Sequence, residues 1–246
     1  MSNSPVRLDQ QALRERTSRF FARYGEELRQ IAELLEIKLK QLALAYTISN
    51  QLPAESVHVS TRVKTEKSFL KKLELDGWPT FYLPTEVVFD LIGARVVCWF
   101  VDDVYGLLKF ILGSNHFRVA DSADHPIKDY IEQPQKAGYR AIHVFADVPY
   151  DSVTRVNGEV TISVSEILCE IQIRSKLQDA WADITHEFFY KSKSHGVTNP
   201  NLETFLADVA SRLTQEDRTL MKFRDAYQRL ADEKMRDGTR EGYRDG

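Results

Sequence analysis

Two acids, each beside a strongly apolar strand, are well suited to holding a metal ion. In the stretch DLIGAR, Asp90 precedes a predicted strand and Arg95 opens it. In the stretch CEIQIRS, the period-two alternation places Glu170, Gln172 and Arg174 on one side of a strand and apolar residues on the other. If the two polar faces coincide in one sheet, we expect the two acids to meet.

Meeting carboxylates of this kind predict a divalent cation. Two carboxylates about 4 Å apart repel by about 4 kcal/mol at an effective dielectric constant of 20, so both ionise with difficulty when bare. A magnesium ion removes this repulsion, and Mg²⁺ is usually held by one or two carboxylates together with substrate phosphates. The pair Asp90 and Glu170 is therefore a candidate Mg²⁺ site for a phosphorylated substrate.

Basic side chains around the two acids are suited to gripping phosphates. The sequence contains no GxxxxGK[ST] motif, so no P-loop backbone is available for this purpose. Arginine and lysine side chains then have to hold a triphosphate directly. The candidates nearest the acids in sequence are Arg62, Lys64, Lys71, Lys72 and Arg95. A further stretch, KAGYRAIH, is predicted to place Tyr139 and His143 on one face of a neighbouring strand.

Several other functions are disfavoured by the sequence. The segment HEFFY lacks the second histidine of a zinc protease motif, and SFLK lacks the companion motifs of a serine enzyme. Cys98 and Cys169 are interpreted as reduced core residues. The formal net charge of −3 argues against a general nucleic-acid binder. Because no long apolar run or signal peptide is visible, we expect a cytoplasmic protein without membrane contacts.

The apolar pattern predicts an α+β fold, with a mixed sheet of about five strands flanked by helices and extra helices at both ends. The predicted strands are residues 57–64, 95–101, 116–120, 139–148 and 160–174. The predicted helices are residues 8–48, 65–75, 102–112, 176–191 and 202–230, followed by a frayed tail at 232–246. Asn157-Gly158 indicates a hairpin turn, and we expect a protruding hairpin over 151–165.

Five blocks, in order along the chain, resemble the synthetase domain of the RelA/SpoT family, and the chain length resembles that of a small alarmone synthetase. The blocks are RVKTEKS, DLIGARVV, KAGYRAIH, EIQIR and AWADITHEFFYK. The resemblance covers about residues 57–191 and leaves both termini unexplained. It implies a division into an N-terminal helical region (1–52), a synthetase domain (53–195) and a C-terminal helix with a charged tail (196–246), without hydrolase or regulatory domains.

The resemblance implies transfer of the β,γ-pyrophosphate of ATP to the 3′-hydroxyl of GDP or GTP, which makes ppGpp or pppGpp. It implies that Asp90 and Glu170 bind Mg²⁺ and that Glu170 accepts or orients the proton of the attacking hydroxyl. It assigns Arg62 and Arg95 to the two faces of adenine, because guanidinium planes stack on π systems. It assigns the ATP phosphates to Lys64, Ser68, Lys71 and Lys72.

On the acceptor side, the resemblance implies that Tyr139 stacks on guanine. The phosphates and ribose of the acceptor are assigned to Lys136, His143 and Gln172. Arg174 is assigned to anchoring the polar row on the strand. Asp179 is assigned to accepting hydrogen bonds from guanine N1 and N2.

Alternatives remain open at this point. Some relatives place the pyrophosphate on the 3′ end of tRNA, and the basic run from Lys191 to Lys193 could serve such a partner. A catalytically dead guanine-nucleotide sensor is a third possibility, against which the intact Asp90 and Glu170 argue. Glu170 could also be a simple salt-bridge residue. The apolar stripes at 28–42 and 205–230 are compatible with a homo-oligomer or with coverage of the sheet.

Overall fold

The computed structural model describes residues 5–156, 158–194 and 200–241, which form five α-helices and one β-sheet. The helices are α1 (Pro5–Ser49), α2 (Glu66–Leu75), α3 (Val101–Leu112), α4 (Lys176–Ser194) and α5 (Pro200–Glu241). The strands are β1 (Val57–Val63), β2 (Ile92–Cys98), β3 (Arg118–Ala120), β4 (Lys128–Asp129), β5 (Ile142–Val156) and β6 (Glu159–Ser175). The predicted α+β class is confirmed, and the described sheet has six strands.

The order of the strands places the two acid-bearing segments on neighbouring strands. The sheet runs β1-β2-β6-β5-β3, and β4 pairs with β5 outside this path. β5 is antiparallel to both β3 and β6. Because β2 and β6 are adjacent, the segment before β2, which carries Asp90, lies near β6, which carries Glu170.

The predicted hairpin is present as one long ladder. β5 and β6 pair without interruption from Ile142↔Ile173 to Val156↔Glu159. Its distal half exposes Val153 and Ile162, at 64% and 67% exposure, so this part of the hairpin is not covered by the described residues. Asn157 lies outside the described residues, while Gly158 has a φ of 89°, the left-handed conformation that such a turn requires.

The chain divides into two compact units that alternate along the sequence. The first holds Met1–Val96, Leu107–Lys128 and Ile142–Ile173, and the second holds Val97–Gly106, Asp129–Ala141 and Arg174–Gly246. In the first unit, a core cluster forms around fully buried Phe69 and Leu73 of α2. The three-part division predicted from the sequence uses continuous segments, whereas each of these units combines segments that are separated in the sequence. The three-part division stays a prediction.

The two terminal apolar stripes behave differently. On α1, Leu28, Ile31, Leu35 and Leu39 are all at most 3% exposed, so this stripe packs inside the first unit. On α5, the stripe around Phe223 and Tyr227 is 70% and 65% exposed. No helix among the described residues combines the length and apolarity that a membrane crossing requires.

Several predicted boundaries differ from the structure. β2 begins at Ile92, three residues before the predicted start, and its first residues already alternate between buried and half-buried positions. Tyr139 precedes β5, since Ala137 and Gly138 adopt φ values of 64° and 88° that break an extended strand. α5 continues to Glu241, through residues that include the good helix formers lysine, glutamate, methionine and arginine.

A buried carboxylate in the second unit gives a first prediction. Asp217 on α5 is 0% exposed and accepts a hydrogen bond from Ser175 Oγ. Burial, with smaller contributions from Asp103 and Asp102, raises the pKa of Asp217 to about 6 despite the Ser175 bond. The folded state therefore binds this proton more tightly than the unfolded state, and Asp217 destabilises the fold progressively as the pH rises from about 4 to about 6.

We expect Asp217→Asn to remove this cost, which is about 2–3 kcal/mol at pH 7.5 for a shift of this direction and size. The free energy of unfolding by urea, measured for both proteins at pH 4.5 and 7.5, checks the prediction. The variant should gain more stability relative to the wild type at pH 7.5 than at pH 4.5. An equal change at both pH values would mean that Asp217 is ionised throughout.

Candidate active site

One face of the sheet in the first unit carries polar side chains that are half-buried. Along β6, Glu170 and Gln172 are half-buried, whereas Ile171 and Ile173 are fully buried. His143 on β5 is the direct cross-strand neighbour of Gln172, and it is half-buried between the buried residues Ile142 and Val144. The polar row predicted for β6 therefore lies on an accessible face as far as Gln172.

Glu170 is held by two hydrogen bonds, one at each carboxylate oxygen. His143 Nδ1 lies 2.8 Å from Oε1, and Gln172 Nε2 donates to Oε2 over 2.9 Å. Burial raises the pKa of Glu170, but the bonds from His143 and Gln172 outweigh burial and the net shift is downward. Glu170 is therefore an oriented, ionised carboxylate at neutral pH.

Asp90 is held by two lysines in a symmetric arrangement. Lys64 Nζ lies 2.8 Å from Oδ2, and Lys72 Nζ lies 2.8 Å from Oδ1. Burial raises the pKa of Asp90, but both ammonium groups lower it and prevail. Lys64 comes from the end of β1, where its backbone N–H donates to Leu91 O, and Lys72 comes from α2. The two lysines predicted to bind phosphates are thus brought to the acid predicted to bind the metal.

The two acids influence one another electrostatically. The charge of Asp90 is among the causes that raise the pKa of Glu170, so the carboxylates are near enough to repel. Among the described residues, no group of three or more His, Cys, Asp and Glu side chains is placed to hold a metal ion. A pair of carboxylates fits Mg²⁺ all the same, because this ion takes one or two carboxylates and completes its shell with phosphates and water.

The arginines predicted to flank adenine project from neighbouring strands. Arg62 on β1 packs over Gly93 of β2, because a Cβ at Gly93 would lie 3.9 Å from both Cγ and Nε of Arg62. Arg95 is two residues along β2 from Gly93 and therefore shares its face. Arg62 and Arg95 thus lie on the same side of the sheet, and the Arg62 side chain covers Gly93.

Ser68 and Lys71 occupy different places on α2. Ser68 belongs to the helix start, where its N–H donates to Thr65 Oγ1 over 3.2 Å and Thr65 Oγ1 donates to Ser68 Oγ over 2.9 Å. It is one helical turn before Lys72, so both lie on the same side of α2. Lys71 lines a hollow with Arg14 and Glu74.

Four predicted acceptor residues, Lys136, Tyr139, Arg174 and Asp179, lie in the second unit. Arg174 is 2% exposed, with its Nε 3.3 Å from Asp179 Oδ1 and its guanidinium carbon 6.0 Å from the centre of the Tyr139 ring. Arg174 therefore continues the row of Glu170 and Gln172 in sequence, but it is buried against its own partners. Lys136 begins the short helical turn before Tyr139, and its side chain is outside the described part of the structure.

The sequence alone did not reveal two features of the site. His143 and Gln172 were assigned to the acceptor nucleotide, yet both contact Glu170; their spacing on paired strands was the available signal. The bridge from Lys64 through Asp90 to Lys72 joins three segments that are distant in sequence. No periodicity within a segment could reveal that bridge.

Comparison with known proteins places these features in a family. Residues 61–195 match the family described as "Region found in RelA / SpoT proteins". The GTP pyrophosphokinase YjbM of Bacillus subtilis is 32% identical over 190 residues, which are 76% of this chain and 82% of that protein. The GTP pyrophosphokinase YwaC of the same organism is 29% identical over 161 residues, 65% of this chain and 70% of that protein.

A solved structure agrees with the sequence match. The crystal structure of the small alarmone synthetase 1 from Bacillus subtilis, bound to its product pppGpp, superposes with a TM-score of 0.70 at 26% identity. The superposition covers 85% of this chain and 99% of that chain. The matched region contains both acids and the lysines that hold Asp90.

Proposed function

Since this chain belongs to the RelA/SpoT family, we propose that it transfers the β,γ-pyrophosphate of ATP to the 3′-hydroxyl of GDP or GTP, as a small alarmone synthetase. The products are AMP and ppGpp or pppGpp. The observation that carries the proposal is the arrangement of Asp90 and Glu170, which are ionised, oriented and electrostatically coupled within one unit. Such a pair is suited to binding a metal–triphosphate complex.

Asp90 and Glu170 would hold Mg²⁺ in this proposal. When bound, the ion supplies Lewis-acid polarisation of the phosphates and neutralises charge that develops on them. Lys64 and Lys72, each 2.8 Å from an oxygen of Asp90, would bind the ATP phosphates next to that carboxylate.

Adenine would lie between Arg62 and Arg95, on the side of the sheet where the Arg62 side chain passes over Gly93. Stacked guanidinium groups hold the base without a dedicated pocket. Ser68 lies one turn from Lys72 and would add a hydroxyl contact to the phosphates. Lys71 keeps its predicted phosphate role only if it moves from its hollow with Arg14 and Glu74.

Glu170 would act on the acceptor hydroxyl. The 3′-oxygen forms a bond to the β-phosphorus while the bond from that phosphorus to the oxygen of the α-phosphate breaks, and AMP leaves. The hydroxyl proton passes to Glu170, whose two oxygens are oriented by His143 and Gln172. His143 and Gln172 would therefore position the Glu170 carboxylate as the general base, in addition to the ribose and phosphate roles assigned from the resemblance.

The guanine base would stack on Tyr139, with Asp179 accepting from N1 and N2 and Arg174 holding Asp179 in place. Stacking on an aromatic ring is worth about 1–3 kcal/mol per base. We therefore expect Tyr139→Ala to raise the KM for GDP by about 10–100-fold while the Kd for ATP stays within about twofold. Calorimetry with each nucleotide and initial rates check this.

Tyr139→Phe is the matched control for this prediction. It keeps the ring and removes only the hydroxyl, so acceptor use should remain near the wild-type value. If Tyr139→Ala weakened ATP and GDP equally, the residue would act on the fold rather than on guanine.

The proposed function is tested by offering several acceptors to the same protein. We would incubate the chain with γ-labelled ATP and Mg²⁺ in the presence of GDP, GTP or bulk tRNA. The proposal predicts label on GDP or GTP. Label confined to tRNA would favour the tRNA-modifying alternative, and absence of any labelled acceptor would favour a nucleotide sensor.

A further inference from the structure

The second unit contains a small cavity that lies beside the Tyr139 segment and outside the proposed catalytic residues. It is lined by residues of the helical turn before β5, of α4 and of α5: Gly138, Arg140, Gln178, Trp181, Ala210 and Leu213. It has room for about one water-sized particle. Gly138 closes one side, where a Cβ would lie 2.5 Å from Ala210 Cβ.

Three N–H donors in the cavity wall have no hydrogen-bond partner among the described residues. They are Arg140 Nε, Gln178 Nε2 and Trp181 Nε1, and each of these nitrogen atoms is buried. Gln178 and Trp181 are 5% and 7% exposed, so bulk water does not satisfy them. Leaving a buried donor unpaired costs about 1–3 kcal/mol, and native structures avoid it by binding water or an ion.

The orientation of each donor is fixed by its other contacts. Gln178 Oε1 accepts a hydrogen bond from the Ser175 N–H over 3.0 Å, so the NH₂ group of the amide points away from Ser175. Arg140 Nη1 donates to Ile131 O over 2.7 Å, which anchors the guanidinium. The donors are therefore held in place before any ligand arrives, as a binding site requires.

The chemistry of the wall favours an anion over water. A water molecule accepts two hydrogen bonds, so it leaves one of the three donors unpaired, and the side chains of Ala210 and Leu213 offer it no acceptor. A halide only accepts and can take all three N–H bonds. The positive charge of Arg140 also favours an anion. Burial and repulsion from Arg218 lower the pKa of Arg140, and Glu132 offsets this lowering only in part, so the guanidinium lacks a full counter-charge.

We propose that this cavity binds one small monovalent anion of halide size, chloride in solution, through Arg140, Gln178 and Trp181. The anion would join the Tyr139 segment to α4 and α5. The site itself does not depend on the proposed function, because it is defined by donors outside the catalytic set.

A bromide experiment tests the proposal directly. The full chain is crystallised with sodium bromide in place of chloride, and diffraction is measured at the bromine absorption edge. We expect an anomalous peak in the cavity within hydrogen-bond distance of Arg140 Nε, Gln178 Nε2 and Trp181 Nε1. A water molecule or an empty cavity, without anomalous signal, would overturn the proposal.

Solution measurements with variants make the same test without crystals. At constant ionic strength, replacing gluconate by chloride should raise the Tm of the wild type in a saturable manner, by about 3 °C at ten times the Kd. Gln178→Glu keeps the acceptor for Ser175 but puts a negative charge into the cavity, so its Tm should not respond.

Gln215→Glu, the same change at an exposed position of α5, is the control and should respond like the wild type. Should Gln178→Glu fail to fold, Trp181→Phe removes one donor and keeps an aromatic ring; its chloride response should need about tenfold more salt. An equal chloride response in the wild type, Gln178→Glu and Trp181→Phe would contradict the site.

Discussion

Glu170→Gln is expected to abolish pyrophosphate transfer, with a decrease in kcat of about 10³-fold or more, while the fold is preserved. The amide cannot accept the hydroxyl proton, and general-base catalysis alone is worth about 10²–10⁴-fold. It also loses the negative charge proposed to hold the metal. The side chain remains isosteric and can still bond to His143 or Gln172, so the Tm should stay within a few degrees of the wild-type value.

Glu166→Gln is the matched control for this experiment. It makes the same chemical change four residues earlier on β6, where the side chain is 44% exposed and pairs with Arg118. We expect wild-type turnover from this variant. Turnover by Glu170→Gln at the wild-type rate would contradict the catalytic assignment, whatever the control shows.

Asp90→Asn is expected to cause the second large loss, and to cause it through the metal requirement. Loss of an outer partner of a metal ligand typically costs 10–100-fold in metal affinity, and loss of a proposed ligand should cost at least as much. We therefore expect the Mg²⁺ concentration for half-maximal rate to rise more than about tenfold. Lys64 and Lys72 also lose their shared counter-charge, which weakens ATP binding further.

Initial rates measured over a Mg²⁺ titration at saturating ATP check this prediction. Asp76→Asn, at the exposed end of α2, makes the same change outside the site and should leave the titration unchanged. A lower maximal rate with an unchanged Mg²⁺ midpoint would show that Asp90 acts on something other than the metal.

The sequence predicted the parts of this structure that depend on local periodicity. The alternation of apolar and polar residues along β6 correctly placed Glu170 and Gln172 on the accessible face. This works because successive side chains of a strand point to opposite faces, and only one face of β6 is fully buried here. The long hairpin followed from the turn signal beside Gly158. The apolar stripe of α1 predicted a helix, which the structure confirms over Pro5–Ser49.

Other features depend on tertiary contacts that periodicity does not contain. Tyr139 was predicted in a strand, but Gly138 must turn with a positive φ to pack against Ala210 of α5, seventy-two residues later in the sequence. Arg174 continues the alternation of Glu170 and Gln172 and yet is buried, since it pairs with Asp179 on the following helix. The site residues' roles in binding and catalysis remain proposals.

The central claim is that Asp90 and Glu170 hold ATP so that the acceptor attacks its β-phosphorus. Phosphorus NMR of a reaction with ATP, GDP and Mg²⁺ tests this most directly, because it identifies which bond of ATP has broken. The account predicts AMP and a 3′-diphosphorylated guanosine nucleotide appearing in equal amounts. Formation of ADP with a singly phosphorylated acceptor, or no change in either nucleotide, would contradict it.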